Sequence, residues 1–70
     1  MTSATTFTIG NTFEAHGSAT YENAVRFAVN MAKENPAEPV RISWDRHGVC
    51  FREVFTWSAV SNDIIPYYGG

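Results

Sequence analysis

Residues 40–55 read Val-Arg-Ile-Ser-Trp-Asp-Arg-His-Gly-Val-Cys-Phe-Arg-Glu-Val-Phe, and this stretch decides the fold. Two runs of alternating character flank Asp45-Arg46-His47-Gly48, which opens on an aspartate and closes on a glycine, as short turns do. The pattern predicts a β-hairpin. With Trp44 opposite Val49, Ile42 faces Phe51 and Val40 faces Glu53, so Val40, Ile42, Trp44, Val49 and Phe51 share one buried face. A one-residue slip would bring Cys50 and Arg52 to that face instead. In the preferred register Arg41 and Arg52 stand directly opposite one another on the outer face, a like-charge pair that calls for an anion nearby.

Upstream of the hairpin the periodicity is helical from about Thr20 to Glu34. At 100° per residue, Tyr21, Ala24, Val25, Ala28, Met31 and Ala32 fall on one side, with Phe27 and Val29 at its margins. Glu22, Asn23, Arg26, Asn30, Lys33 and Glu34 take the opposite arc, and Glu22 precedes Arg26 by the four residues that favour an exposed ion pair. Ser18 or Thr20 supplies the N-cap hydroxyl. Asn35-Pro36-Ala37-Glu38-Pro39 ends the helix, because proline cannot continue the hydrogen-bond ladder. Further upstream, Phe7, Ile9, Phe13 and Ala15 share one parity and Thr6, Thr8, Thr12 and Glu14 the other. The spacing predicts a core-facing strand interrupted at Gly10-Asn11 by a bulge or tight bend.

Downstream, the second hairpin strand runs on through Val54, Phe55, Thr56 and Trp57 with apolar residues on both parities, as central strands have. The expected fold is therefore α+β: a three-stranded antiparallel sheet of β-α-β-β order, spatial order 1-3-2, with one helix packed on one face. The first strand, the helix and the second strand form a crossover, right-handed by the general rule. Residues 58–70 carry a turn signal at Ser61-Asn62-Asp63 and a short apolar segment, Ile64-Ile65-Pro66-Tyr67-Tyr68. They form a tail that docks along the sheet edge or its open face, or serves as a contact for a partner.

Seventy residues make one domain, 1–70, near the size at which an apolar core alone stabilises a fold. The 44% hydrophobic content places it among globular chains, and two tryptophans, three tyrosines and five phenylalanines give a small core large side chains. The single cysteine, Cys50, has no partner in the chain, which fits a reducing cytoplasm. No run reaches 18 apolar residues, and the first residues lack the basic and apolar segments of a signal peptide. Neither a membrane partner nor a leader is expected. A net charge of −2 gives no general attraction for nucleic acid and is too small for a DNA mimic, so direct nucleic-acid binding is not expected.

The polar side chains form no catalytic constellation. His47-x-x-Cys50 with His16 falls short of the four ligands and Cys-pair spacings of a structural zinc site. Cys50 with His16 as a nucleophilic pair lacks a third orienting group. Gly10, Gly17, Gly48, Gly69 and Gly70 match no phosphate-cradling motif. The expectation is no enzyme, no metal and no cofactor. The hairpin holds Arg41, Arg46 and Arg52, three of the five basic residues. Glu53, Asp45 or Glu14 can neutralise them as surface pairs worth little; unneutralised, they form a docking patch for phosphates or an acidic protein surface. Arginine and exposed aromatics are what interface hot spots favour. Phe55 and Trp57 belong to the core, which leaves Arg41, Arg46, Arg52, Tyr67 and Tyr68 as the partner-binding candidates.

With the Phe7–Phe13 strand, the Tyr21–Glu34 helix and the Val40–Phe55 hairpin in place, the chain resembles the very small phage or mobile-element proteins that inhibit bacterial defence, anti-CRISPR proteins of the β-α-β-β kind. The likeness lies in architecture, size and composition and carries no family residues with it. It implies a non-catalytic inhibitor, a monomer or homodimer, that binds a CRISPR–Cas effector complex of the host and blocks target DNA recognition or nuclease recruitment. Two other classes fit the same residues: a small nucleic-acid-binding module using the open sheet face, and an antitoxin or adaptor acting through an edge strand.

Overall fold

A computed structural model of the chain describes residues 5–67. It contains strands β1 (Phe7–Gly10) and β2 (Ala15–Ser18), helix α1 (Tyr21–Glu34), and strands β3 (Val40–Arg46), β4 (Val49–Ser58) and β5 (Asp63–Pro66). The five strands form one sheet of order β2-β1-β3-β4-β5 with every neighbouring pair antiparallel. The class is α+β with one helix on one face, as expected, but the described residues form five strands rather than three. No helix among the described residues is long and apolar enough to cross a membrane.

The helix starts where its cap allows. Thr20 has extended backbone and its hydroxyl accepts from the Asn23 N–H at 3.2 Å, satisfying one of the unpaired donors of the first turn. At the other end the Asn35 N–H still donates to the Met31 carbonyl, and Pro36 follows. The face turned to the sheet is made of small residues. Ala24, Ala28, Met31 and Ala32 are buried against Ile9, Val40 and Ile42, and three alanines let the helix axis lie close to the strands. Phe7, Val25, Trp44, Phe55, Trp57 and Ile64 pack around this centre.

The order 1-3-2 is corrected. Taking β1, β3 and β4 as the three expected strands, β1 pairs with β3, and β4 lies beyond β3. The strand that is apolar on both parities does have two neighbours, but the second is β5, from the segment left as a tail. A four-residue turn joins β4 to β5, and so short a closure costs less chain entropy than bringing β1 across from the far side of the helix. The crossover also starts later than expected: β2 and β3 run parallel, with β1 between them.

The interruption at Gly10-Asn11 is a chain reversal. The Asn11 side-chain oxygen accepts from the N–H groups of Phe13 (2.8 Å) and Glu14 (3.0 Å), and the Asn11 N–H donates to the Glu14 carbonyl. This asparagine turn folds β2 back on β1. Phe13, expected in the core, stands 70% exposed at the tip, and Ala15 opens an exposed edge strand.

The hairpin register moves by two residues. Trp44 faces Phe51, Ile42 faces Glu53 and Val40 faces Phe55. Asp45 and Arg46 continue β3, and the turn is only His47-Gly48, both at positive φ (52° and 76°). This is the two-residue turn whose twist matches that of the strands. A shift of two preserves parity, so Val40, Ile42, Trp44, Val49 and Phe51 still share a face. The hairpin projects beyond the helix, however, and Val49 and Phe51 at its end are 54% and 41% exposed rather than buried.

Candidate functional site

Because Val40 and Ile42 are buried beneath the helix, alternation turns Arg41, Ser43 and Asp45 to the opposite, uncovered face of the sheet. Arg52, Val54 and Thr56 on β4 and Thr8 on β1 join them there through the pairings Thr8–Ser43–Arg52 and Gly10–Arg41–Val54. Arg41 and Arg52 are therefore not directly opposite, as the expected register had them. They are diagonal neighbours, about 7–8 Å apart between backbones.

Val54 is the centre of the group. Arg41 is its cross-strand partner, Arg52 lies two residues before it, and on its other side the Tyr67 N–H donates to its carbonyl at 2.9 Å. Two shallow depressions meet at this half-buried valine. One, of about 370 Å³, is lined by Arg52, Glu53, Val54, Phe55, Pro66 and Tyr67. The other, of about 320 Å³, is lined by Arg41 and Val54 with the Gly10–Thr12 turn, Glu38 and Pro39. The structure thus brings together Arg41, Arg52 and Tyr67, all exposed at their outer ends. Arg46 has the parity of Trp44 and projects at the hairpin end on the other face, apart from this group. Tyr68 lies outside the described residues.

The neutralisation weighed for these arginines is not seen. Glu53 points to the helix side, where its carboxylate accepts from the Tyr21 hydroxyl at 2.9 Å. Glu14 sits 3.3 Å from His16 Nε2 on the far edge of the sheet. Among the described residues the ion pairs are Glu14–His16 and the exposed Glu22–Arg26, the latter at 3.9 Å, and neither includes a hairpin arginine. Glu38, the carboxylate lining the Arg41 depression, accepts from the Thr12 hydroxyl at 2.6 Å.

The other candidate groups are dispersed. His16 lies on β2 with its ring stacked on Phe27 (centroids 5.3 Å apart), on the helix face. Cys50 lies on β4 on the opposite face, with β1 and β3 between the two strands, and His47 is in the turn. His16 and Cys50 therefore cannot act as a pair.

Sequence reasoning missed an aromatic cluster where the helix begins. Phe7, Tyr21, Trp44 and Phe51 form a chain of ring contacts with centroids 5.4–5.9 Å apart, Trp44 and Phe51 being stacked at 5.7 Å. Its signal was the occurrence of an aromatic residue at the start of each of two elements and near the hairpin tip, which only the fold places at one end of the sheet. Burial within this cluster raises the Tyr21 pKa above its ordinary value, and the hydrogen bond to Glu53 and the charge of that carboxylate push the same way.

No protein-family model, curated protein or solved structure matches the chain.

Proposed function

We propose that this protein is a non-catalytic binding protein that inhibits a larger assembly by laying the uncovered face of its sheet on an acidic protein surface. The observation that carries the reading is the pair Arg41 and Arg52, diagonal on that face, with no carboxylate salt-bridged to either among the described residues. Val54 and Tyr67 sit between and beside them, so the face offers two guanidinium forks around an apolar spot. Guanidinium groups bind carboxylates in a bidentate fashion, and arginine with tyrosine is the pairing that concentrates binding energy at interfaces. The resemblance to anti-CRISPR proteins supplies the class of assembly: a CRISPR–Cas effector complex of a bacterial host, in which occupation of such a surface blocks target DNA recognition or nuclease recruitment.

The test is capture of purified Cas effector complexes by the wild-type protein and by Arg41→Glu/Arg52→Glu. Both side chains project into solvent, so the double variant keeps its circular dichroism spectrum and melting behaviour. Its affinity drops by at least about tenfold, since charged interfacial pairs carry this much or more. Unchanged capture removes the arginines from the mechanism. The competing anion for the same face is a phosphate backbone. Oligonucleotide binding whose log affinity falls with log salt by about 0.7–0.9 per contact would replace the protein partner with a nucleic acid.

A further inference from the structure

We infer that the protein pairs with a second copy of itself through the outer edge of β4 between Val49 and Glu53. The Tyr67 N–H bonds the Val54 carbonyl, so the main-chain groups of Val54 point to the β5 side of the strand. Alternation then directs the N–H and C=O groups of Arg52 and Cys50 to the same side. β5 pairs only with Phe55–Ser58, and among the described residues no strand lies beside Cys50 or Arg52. An open row of donors and acceptors of this kind is a template for another strand.

The shape of the opening selects the occupant. It is bounded at one end by the His47-Gly48 turn and at the other by the bond between Tyr67 and Val54, and it is centred on Phe51. An antiparallel copy of the same segment, related by a two-fold axis at Phe51, fits the opening end to end. Cys50 and Arg52 of each chain then exchange N–H···O=C bonds, and Phe51 faces its own copy at the closer, non-hydrogen-bonded spacing. A register two residues further along sets Arg52 against Arg52 and collides with the bond already made to Val54.

In this register the helix side of the seam is apolar and self-complementary, and on the uncovered side the two Arg52 side chains stand diagonal to one another with an Asp45 carboxylate one strand back from each. On the helix side, Trp44 already stacks on Phe51, and pairing makes a continuous row Trp44–Phe51–Phe51–Trp44 that covers the exposed edge of Phe51 and shields Val49. On the uncovered side, Asp45 is the cross-strand neighbour of Cys50. Arg52 of the second copy lies one strand beyond, about 10 Å away between backbones, and the small Cys50 leaves the way open between them. Arg41, one strand back from the seam, stays free.

Cysteine trapping and light scattering test the pairing. In a Cys50→Ser background, Phe51→Cys gives a disulfide-linked dimer under copper-catalysed air oxidation, because the two sulfur atoms face each other. Val49→Cys, which faces Glu53 of the second copy, does not. By light scattering and sedimentation the wild-type chain approaches twice its monomer mass as concentration rises. Cys50→Pro removes an N–H that points out of the monomer and so leaves the β3–β4 ladder intact. It weakens self-association about tenfold or more, as expected for lost hydrogen bonds across the seam. A monomeric mass at every concentration, together with no disulfide dimer from the Phe51 variant, overturns the inference. The readout is independent of the acidic-partner reading: a monomer that still captures the effector would overturn the pairing alone.

Discussion

Tyr21 shows how much one side chain couples. Its ring touches Phe7 and Trp44, and its hydroxyl donates to Glu53, which strand alternation places on the face away from Arg41 and Arg52. The folded state keeps the phenol protonated to higher pH than the unfolded chain, through burial first and then through Glu53. A raised pKa in the folded state means that the contribution to stability is complete below the ordinary value of 10.0 and is lost as pH rises through the folded-state value. Tyr21→Phe keeps the ring contacts and removes the hydrogen bond. It is expected to lower stability at neutral pH by at most about 1 kcal/mol and to flatten the fall in stability on the alkaline side. Urea denaturation of both proteins from neutral pH to above pH 10 checks this; an unchanged alkaline limb would mean that Tyr21 is not the group responsible.

At the scale of elements, the hairpin turn sets which residues meet across β3 and β4. His47 and Gly48 both occupy the left-handed region, which glycine enters freely and other residues enter with difficulty. A Cβ at position 48 would meet nothing within 4 Å, so any cost of Gly48→Ala is conformational. The expected loss is about 1 kcal/mol, read as a lower urea midpoint with an unchanged slope. A substitution that leaves the midpoint in place would show that the turn is not of this type. The four-residue turn expected from Asp45-Arg46-His47-Gly48 would have set Arg41 against Arg52. The two-residue turn instead moves Arg41 opposite Val54, and with it assembles the group around that valine.

For the molecule as a whole, one layer of helix on one sheet leaves a small core. Ile9, Val40 and Ile42 are its largest fully buried side chains. Ile42 lies on β3, which pairs with β1 and β4 and carries the contact with the helix, so it joins all three layers of contact. Ile42→Ala is expected to cost about 3 kcal/mol, most of the stability that a core of this size supplies. Phe13→Ala, at the exposed tip between β1 and β2, stays within about 0.5 kcal/mol. Tryptophan fluorescence during urea denaturation reads both, and equal losses at the two positions would contradict this placement of the core. The same one-sided construction exposes the arginine face, since among the described residues no second helix covers it.

Sequence by itself determined the elements whose signals are local. The period of 3.6 and the proline stop define Tyr21–Glu34, alternation defines the hairpin, and parity alone puts Arg41 and Arg52 on the side away from Val40 and Ile42, whatever even shift the register takes. Tertiary structure decided what depends on contacts distant along the chain. It made β5 a strand: four residues ending at a proline gain no stability alone and become ordered by pairing with β4 and packing Ile64 on the core. It decided that Asn11 reverses the chain, that β1 borders β3, and that Tyr67 stands beside Val54. Local periodicity reports which face of an element is apolar, because burial recurs with the backbone geometry. It is silent on which neighbour covers that face, because that choice balances chain-closure entropy against packing over the whole fold.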